Sequence, residues 1–262
     1  AENRLTQAQQ ALEALHAWVP QGQAFSTATI QAALDQGPRH EAFKWASHHW
    51  EWRYLCEVTE QLERHGKMDD SRSPDKLLRQ YRRLSKLYPC MVSTLYTLPR
   101  RFEAYCGAPT PLFNAIDLLI VDEAGQIPPE IGAPAFALAQ RALVVGDVDQ
   151  IKPVWSIPRG LDLTNATQAG VIPALAQASH FRHTGLSASG SSLMQLAQRA
   201  TPYAKHPQRG RGLFLSEHRR CWPEIINICN QLVYQGLLQP CRAEGPRALR
   251  PSLGYAHLPG TC

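Results

Sequence analysis

The sequence lacks any apolar run long enough to cross a bilayer, and the run from Leu118 to Val121 is only a fraction of a membrane span. It also lacks a secretory signal, because a polar, glutamine-rich stretch follows Ala1. With 44% apolar and 19% charged residues, the composition excludes an intrinsically disordered chain. We therefore expect a soluble, cytoplasmic protein with no membrane partner.

Cysteine pairs of the C-x-x-C type are missing as well. The seven cysteines are scattered, so neither a zinc site nor a redox dithiol is indicated. An odd number of cysteines in 262 residues is typical of free thiols in a reducing compartment. The net charge of +5 suits a polyanionic partner but is also common in proteins that bind none.

Residues 1–88 are predicted to be helical, without strands. Apolar residues recur at helical spacing from Leu5 to Leu15, from Phe43 to Leu62 and from Leu77 to Tyr88. Ser73 and Pro74 are suited to start the third of these helices, as N-cap and first-turn residue.

Two groups of side chains in this helical stretch have two interpretations each. The aromatic residues either pack in a helical core or stack on nucleic-acid bases. The basic residues either form a solvated face or follow a phosphate backbone. The aromatic group is Trp45, Trp50, Trp52 and Tyr54, beside His48 and His49, and the basic group is Arg79, Arg82, Arg83 and Lys86.

The pattern changes after Pro89 to short apolar runs, which predict strands buried on both faces of a parallel sheet. An alanine-rich crossover helix is predicted between the last two runs, which makes a β-α-β unit. Two helices and a further strand follow a weakly patterned stretch, with an exposed basic loop between them. The apolar runs are Cys90–Leu95, Asp117–Val121 and Ala142–Val145, and the crossover helix is Pro129–Gln140. The weakly patterned stretch is 151–185, and the two later helices are Ser191–Arg199 and Pro223–Leu237. The basic loop is Lys205–Arg211, and the further strand starts at Leu213.

Two adjacent carboxylates, Asp122 and Glu123, directly follow the second apolar run. Carboxyl ends of parallel strands form the edge where open α/β sheets bind ligands. In a nucleotide hydrolase, the first carboxylate would hold Mg²⁺ and the second would deprotonate the attacking water. The alternative is a solvated pair that caps the next helix.

The third apolar run leads into a glycine turn, and residues 146–154 read Gly-Asp-Val-Asp-Gln-Ile-Lys-Pro-Val. Gln150 has an amide that can contact both a terminal phosphate and the attacking water. An ordinary strand-to-loop turn is the alternative, because Gly-Asp is a common turn pair.

Taken together, these segments resemble superfamily 1 helicases of the UPF1/DNA2-like type. Residues 122–126, Asp-Glu-Ala-Gly-Gln, are similar to motif II of that family, and residues 146–154 are similar to motif III. Residues 215–226 are similar to motif IV, which continues in family style to Leu238, and Met91 to Leu98 resemble motif Ic. The matches occur in the family's order.

The resemblance implies ATP and Mg²⁺ as cofactors and DNA or RNA as partner. Asp122 would bind Mg²⁺ through water, with Glu123 beside it as catalytic base. Gln150 would contact the γ-phosphate, and Asp147 would support its loop. Arg220, rather than Arg219, would hold the motif IV position that reaches the γ-phosphate. The alternative interpretation is that Arg220 is a surface arginine. For Ser93 and Thr94 a nucleic-acid contact and loop capping are the two interpretations.

The resemblance also implies the organisation of the chain as an α/β protein with a partial RecA-like (P-loop NTPase) parallel sheet. Residues 1–88 would be a helical insertion, 89–210 the C-terminal part of the first RecA-like domain, and 211–262 the truncated start of the second. No G-x-x-x-x-G-K-[ST] sequence is present, nor are motifs V and VI. We therefore expect an inactive fragment of an ATP-dependent helicase, which associates with the missing parts of its own polypeptide or through an exposed sheet edge. The alternatives are a non-hydrolysing nucleic-acid-binding or scaffolding module and a P-loop ATPase that remodels something other than nucleic acid.

Overall fold

The computed structural model describes residues 6–7, 9–10, 13–14, 26–68, 71–172, 181, 185–203 and 209–242. The predicted helix from Leu5 to Leu15 and the end of the predicted second domain, from residue 243, lie largely or wholly outside these residues. The described chain is mixed α/β, with small parallel and antiparallel sheets. It divides into two compact units, Ala1–Thr94 with Phe102–Leu112, and Leu95–Arg101 with Phe113–Cys262.

The first unit is mainly helical. Helix α1 begins with a capping box between Ser26 and Thr29. Helix α2 ends at Gly66, whose φ of 68° is readily adopted by glycine. Pro74 starts α3 as predicted, but the Ser73 side chain makes no capping hydrogen bond. The helices are α1 Thr27–Asp35, α2 Pro38–His65 and α3 Pro74–Leu84, and an antiparallel hairpin follows, β1 Glu103–Tyr105 with β2 Pro109–Pro111.

The side chains of α2 correct one of the sequence interpretations. Trp45 and Trp52 are 67% and 60% exposed, so the predicted aromatic helical core is wrong for them. Glu57, on the same helix, accepts a hydrogen bond from Lys86 Nζ at 3.0 Å and lies 3.9 Å from Arg83 Nε. Two of the four cations in the basic group are therefore paired with a carboxylate.

The second unit contains two β-α-β crossovers. The first runs from β3 through a 3₁₀ turn and α5 to the parallel strand β4, and the second runs from β5 through α8 to the parallel strand β6. Within the described residues of this unit, three further helices lie outside the crossovers. The elements are α4 Leu98–Arg101, β3 Leu119–Val121, the 3₁₀ turn Ala124–Gln126, α5 Pro129–Phe136, β4 Ala142–Val144, α6 Arg159–Gln168, α7 Leu193–Ala200, β5 Glu217–His218, α8 Pro223–Leu232 and β6 Gln239–Pro240.

The predicted strand at Cys90–Leu95 is not formed; residues 90–94 have no regular structure and a turn follows. The strand expected from Leu213 begins only at Glu217. The prediction that β3 and β4 are buried on both faces is also wrong. Leu119 is 8% exposed, whereas Ile120 and its register partner Leu143 are 60% and 52% exposed. One face of β3 is therefore covered, whereas the face of the strand pair that carries Ile120 and Leu143 is open.

Helix α7 packs closely against α5. A Cβ atom on Gly132 would lie 2.2 Å from Leu193 Cδ2, so only glycine allows this approach. Leu193 is fully buried and its amide donates to the Ile127 carbonyl at 2.8 Å. A capping box between Ser192 and Gln195 starts the helix. These contacts hold α7 beside the segment that follows the Asp122–Glu123 pair. None of the described helices has the length and apolar character that a membrane span requires.

Asp162, on α6, is the charged residue at the centre of a buried polar cluster. It is 7% exposed, and Oδ2 accepts hydrogen bonds from the hydroxyls of Ser187 and Ser189, both at 2.7 Å. Backbone amides of Ala188 and Ser189 also donate to the carboxylate, at 3.3 and 3.0 Å. Burial alone would raise the pKa of Asp162, but these hydrogen bonds outweigh it and the net pKa is lowered.

We expect Asp162→Asn to lower the free energy of unfolding by about 1–3 kcal/mol at neutral pH, because an amide cannot accept from all four donors. Because the folded pKa lies below the unfolded one, the wild-type contribution is present above about pH 4 and is lost as pH falls through the folded pKa. Urea denaturation at about pH 3 and at about pH 7 measures this contribution. The exposed Asp117 makes Asp117→Asn a matched control. Equal stabilities for the two variants would show that the cluster is not stabilising.

Candidate functional site

The adjacent carboxylates lie at the C-terminal end of β3, where the sequence pattern predicted them. Both are exposed. The Glu123 amide donates to Asp122 Oδ1 at 3.0 Å, and Gln126 Nε2 lies 3.4 Å from Glu123 Oε2. Glu123 has a φ of 53°, in the left-handed region that non-glycine residues rarely adopt. Such backbone strain is concentrated at functional sites.

Two glycines bring the turn after β3 against the loop after β4. A Cβ on Gly125 would lie 2.1 Å from the Asp147 carbonyl oxygen, and one on Gly146 would lie 2.7 Å from the Gly125 nitrogen. The amide of Ala124 donates to the Val145 carbonyl at 2.9 Å, and Ala124 is fully buried. The two predicted motifs are therefore in direct backbone contact, at a separation that side chains would prevent.

Asp147 organises the loop after β4. Its Oδ1 accepts from the Asp149 amide at 2.9 Å, and its Oδ2 accepts from Gln150 Nε2 at 3.0 Å. Oδ2 also accepts from the hydroxyl of Tyr234 at 2.6 Å. The structure thus brings Gln150 and Asp147 together as predicted, and adds Tyr234, which the sequence placed only within the motif IV continuation.

Burial and the hydrogen bond to Asp147 together raise the pKa of Tyr234 to about 12. A hydrogen bond from Gln150 acts against these effects. Tyr234 is therefore protonated at any physiological pH, and its hydroxyl is a permanent donor to the carboxylate.

Arg209 was expected in an exposed loop, but its side chain is only 14% exposed. It forms an ion pair with Asp149, and its guanidinium lies 5.0 Å from the centre of the Tyr234 ring and 5.4 Å from that of Phe214. Cation–π contacts of this kind favour burial of an arginine stem and head. Glycine and basic neighbours in the sequence favoured a loop, and no local signal pointed to the aromatic partners.

The two arginines of motif IV have different surroundings. Arg219 donates to Glu217 Oε2 from Nη2 at 2.6 Å and from Nε at 3.2 Å. Arg220 is exposed, and among the described residues its guanidinium has no hydrogen bond or ion pair; only its carbonyl is bonded, to Arg242 Nη1 at 2.6 Å. Arg220 is therefore the one of the pair whose guanidinium is available to a ligand.

The return from α8 to β6 is braced by Asn230. Its Nδ2 donates to the Leu238 carbonyl at 2.8 Å, and its Oδ1 accepts from the Leu238 amide at 2.9 Å. Gln235 and Gly236 between them have φ values of 56° and 78°, which end the helix and turn the chain. This brace fixes the segment that contains Tyr234.

A cleft of about 340 Å³ adjoins the Gly125 turn. Its lining includes Gly125, Lys152, Trp155 and Gln195. Trp155 Nε1 donates to the Ser191 carbonyl at 2.8 Å, and Gln195 Oε1 accepts from the Ser192 amide at 2.9 Å, so both groups are held in place. Lys152 is exposed and gives this cleft positive charge.

Ser93 and Thr94 belong to the first unit, whereas the other predicted site residues belong to the second. Ser93 Oγ donates to the Thr94 carbonyl at 3.2 Å, which is a local loop contact. The described residues contain no group of three or more His, Cys, Asp or Glu that could hold a metal ion. A magnesium ion at Asp122 would therefore need water or phosphate oxygens for its remaining positions.

We found no protein family, curated protein or solved structure that matches this chain with statistical significance.

Proposed function

We propose that this chain is part of an ATP-dependent DNA or RNA helicase of superfamily 1, of the UPF1/DNA2-like type, which couples Mg-ATP hydrolysis to movement on nucleic acid. The observation that carries the proposal is the backbone contact between the Asp122–Gly125 turn and the Gly146–Gln150 loop at the ends of two parallel strands. Two loops of this chemistry at one sheet edge are what a nucleotide hydrolase needs.

The arrangement of strands supports a RecA-like assignment. The β3-α5-β4 crossover would belong to the first RecA-like domain, and β5-α8-β6 to the start of the second. The open face at Ile120 and Leu143 would then be covered by other parts of the same polypeptide, because an exposed apolar sheet face is costly in water.

The residues at the strand ends fit Mg-ATP in their chemistry. Mg²⁺ prefers oxygen ligands, and Asp122 has its Oδ2 without a hydrogen bond to any described residue. Mg-ATP, when bound, supplies the phosphoanhydride whose cleavage drives movement. Asp122 would hold the ion through water, and Glu123 would orient and deprotonate the attacking water. Gln150 would contact the γ-phosphate from its Asp147 anchor.

Arg220 would stabilise charge on the transferred phosphoryl group. A planar guanidinium suits phosphate oxygens, and that of Arg220 has no described partner, whereas that of Arg219 is paired with Glu217. The contrast supports Arg220 as the motif IV arginine.

A strand-displacement assay tests the proposed function in the full-length protein. A labelled DNA or RNA duplex with a single-stranded tail is expected to be unwound in the presence of Mg-ATP and not of a non-hydrolysable analogue. The competing proposal is a non-hydrolysing nucleic-acid-binding or scaffolding module, which absence of a G-x-x-x-x-G-K-[ST] sequence from the full-length protein would favour. Tight nucleic-acid binding that is indifferent to ATP, with no unwinding and no hydrolysis, would support that module and reject the helicase.

A further inference from the structure

The Asp147 carboxylate, in the loop after β4, accepts three hydrogen bonds. Two of them converge on the same oxygen, Oδ2, from Gln150 Nε2 at 3.0 Å and from Tyr234 Oη at 2.6 Å. Hydrogen bonds to a carboxylate are directional and charge-assisted, so one donor restricts the directions left for the other. The Tyr234 hydroxyl therefore limits where the Gln150 amide can bind.

In the side-chain amide of Gln150, the oxygen and the nitrogen are bonded to the same carbon and point in different directions. Because Nε2 is held by Asp147, Oε1 points away from that carboxylate, and it makes no hydrogen bond with a described residue. An amide oxygen in this state can accept a hydrogen bond from water or another donor.

A second contact ties the same loop to the same partner segment. Arg209 pairs with Asp149 and lies over the Tyr234 ring. Tyr234 follows α8 directly and is held by the Asn230 brace, so both contacts connect the loop after β4 to the β5-α8-β6 crossover, which also carries Arg220.

We propose that Tyr234 is a positioning residue for Gln150. By sharing Asp147 Oδ2, it makes the orientation of the Gln150 amide depend on the position of the β5-α8-β6 crossover. This inference rests on the proposed function, because it gives Gln150 a catalytic task. On this proposal, ATP hydrolysis is fastest when the crossover that carries Arg220 packs against the loop that contains Asp147.

The decisive variant is Tyr234→Phe in the full-length protein, because phenylalanine keeps the ring below Arg209 and removes only the hydroxyl. We expect kcat for ATP hydrolysis to fall about tenfold, with KM for ATP changed less than about twofold. Tyr203→Phe, at an exposed tyrosine whose hydrogen bonds in the structure involve only its backbone, is the matched control and should leave both constants unchanged. Circular dichroism and thermal unfolding check that each variant is folded.

A double-mutant cycle with Gln150→Ala separates positioning from a structural role. If Tyr234 acts through Gln150, then removing the hydroxyl from the Gln150→Ala variant should cause no further fall in kcat. An unchanged kcat in Tyr234→Phe, or an equal fall in both backgrounds, would overturn the inference. Absence of Mg-ATP hydrolysis in the wild-type full-length protein would instead reject the proposed function itself, so the two failures are distinct.

The hydrogen bond can also be measured in the 262-residue chain without any activity. The difference in tyrosinate absorbance between wild type and Tyr234→Phe reports the titration of this one tyrosine. The midpoint of this titration is expected near pH 12, the raised pKa that burial and Asp147 give Tyr234. In Asp147→Asn the midpoint is expected at a lower pH. An ordinary tyrosine pKa that Asp147→Asn does not alter would show that the contact is absent in solution.

Discussion

Replacing Glu123 with glutamine in the full-length protein is expected to reduce ATP hydrolysis about a thousandfold while Mg-ATP still binds. Losing a general base costs roughly this much, and an amide of the same shape leaves the turn unchanged. Glu123 lies at the end of β3 with a φ of 53°, exposed and adjacent to Asp122.

Single-turnover hydrolysis and equilibrium binding of a fluorescent ATP analogue separate the two effects in Glu123→Gln. Glu63→Gln, at an exposed residue of α2, is a matched control that should behave as wild type. Wild-type turnover in Glu123→Gln would remove Glu123 from the chemistry.

Arg220→Ala is expected to lower kcat about a hundredfold or more, while Arg219→Ala should change it less than about threefold. The reason is the difference in partners. Arg219 forms an exposed ion pair with Glu217, which contributes little, whereas the guanidinium of Arg220 has no described partner and is available to phosphate.

Arg220→Lys refines the test, because it keeps the charge but loses the planar donor fork. A kcat between those of Arg220→Ala and wild type would indicate that the positive charge contributes. A kcat equal to that of wild type would indicate that the planar geometry of the guanidinium donors does not matter. Equal losses in Arg219→Ala and Arg220→Ala would show that the motif IV assignment is shifted by one residue.

The sequence was sufficient for the parts of the fold whose determinants are local. Apolar runs predicted β3 and β4 to within two residues, and α7 and α8 were predicted as helices at Ser191–Arg199 and Pro223–Leu237. The predicted end of α8 was too late, because Gln235 and Gly236 turn the chain at positive φ. The crossover helix likewise ends earlier, at Phe136 rather than Gln140.

Other elements could not be predicted because their determinants are not local. The hairpin β1-β2 contains Pro109 and Pro111, which argue against a strand in isolation. Helix α6 was missed because it carries Asp162, which is buried only through serines more than twenty residues away.

The residues of the candidate site divide in the same way, into those with a local sequence signal and those whose contacts are distant in the sequence. Asp122, Glu123, Asp147 and Gln150 were found because strand ends and glycine turns leave a local signature. Tyr234 and Arg209 were not assigned a role, because their partners Asp147 and Asp149 are distant in the sequence. Side-chain contacts between distant segments depend on packing that no local pattern encodes.

The most direct test of the account is the ATPase rate of the full-length wild-type protein with Mg²⁺, measured with and without single-stranded DNA or RNA. Coupling of hydrolysis to movement predicts measurable turnover that the nucleic acid increases at least about tenfold. Absence of hydrolysis under both conditions, in a folded protein that binds the strand, would contradict the account.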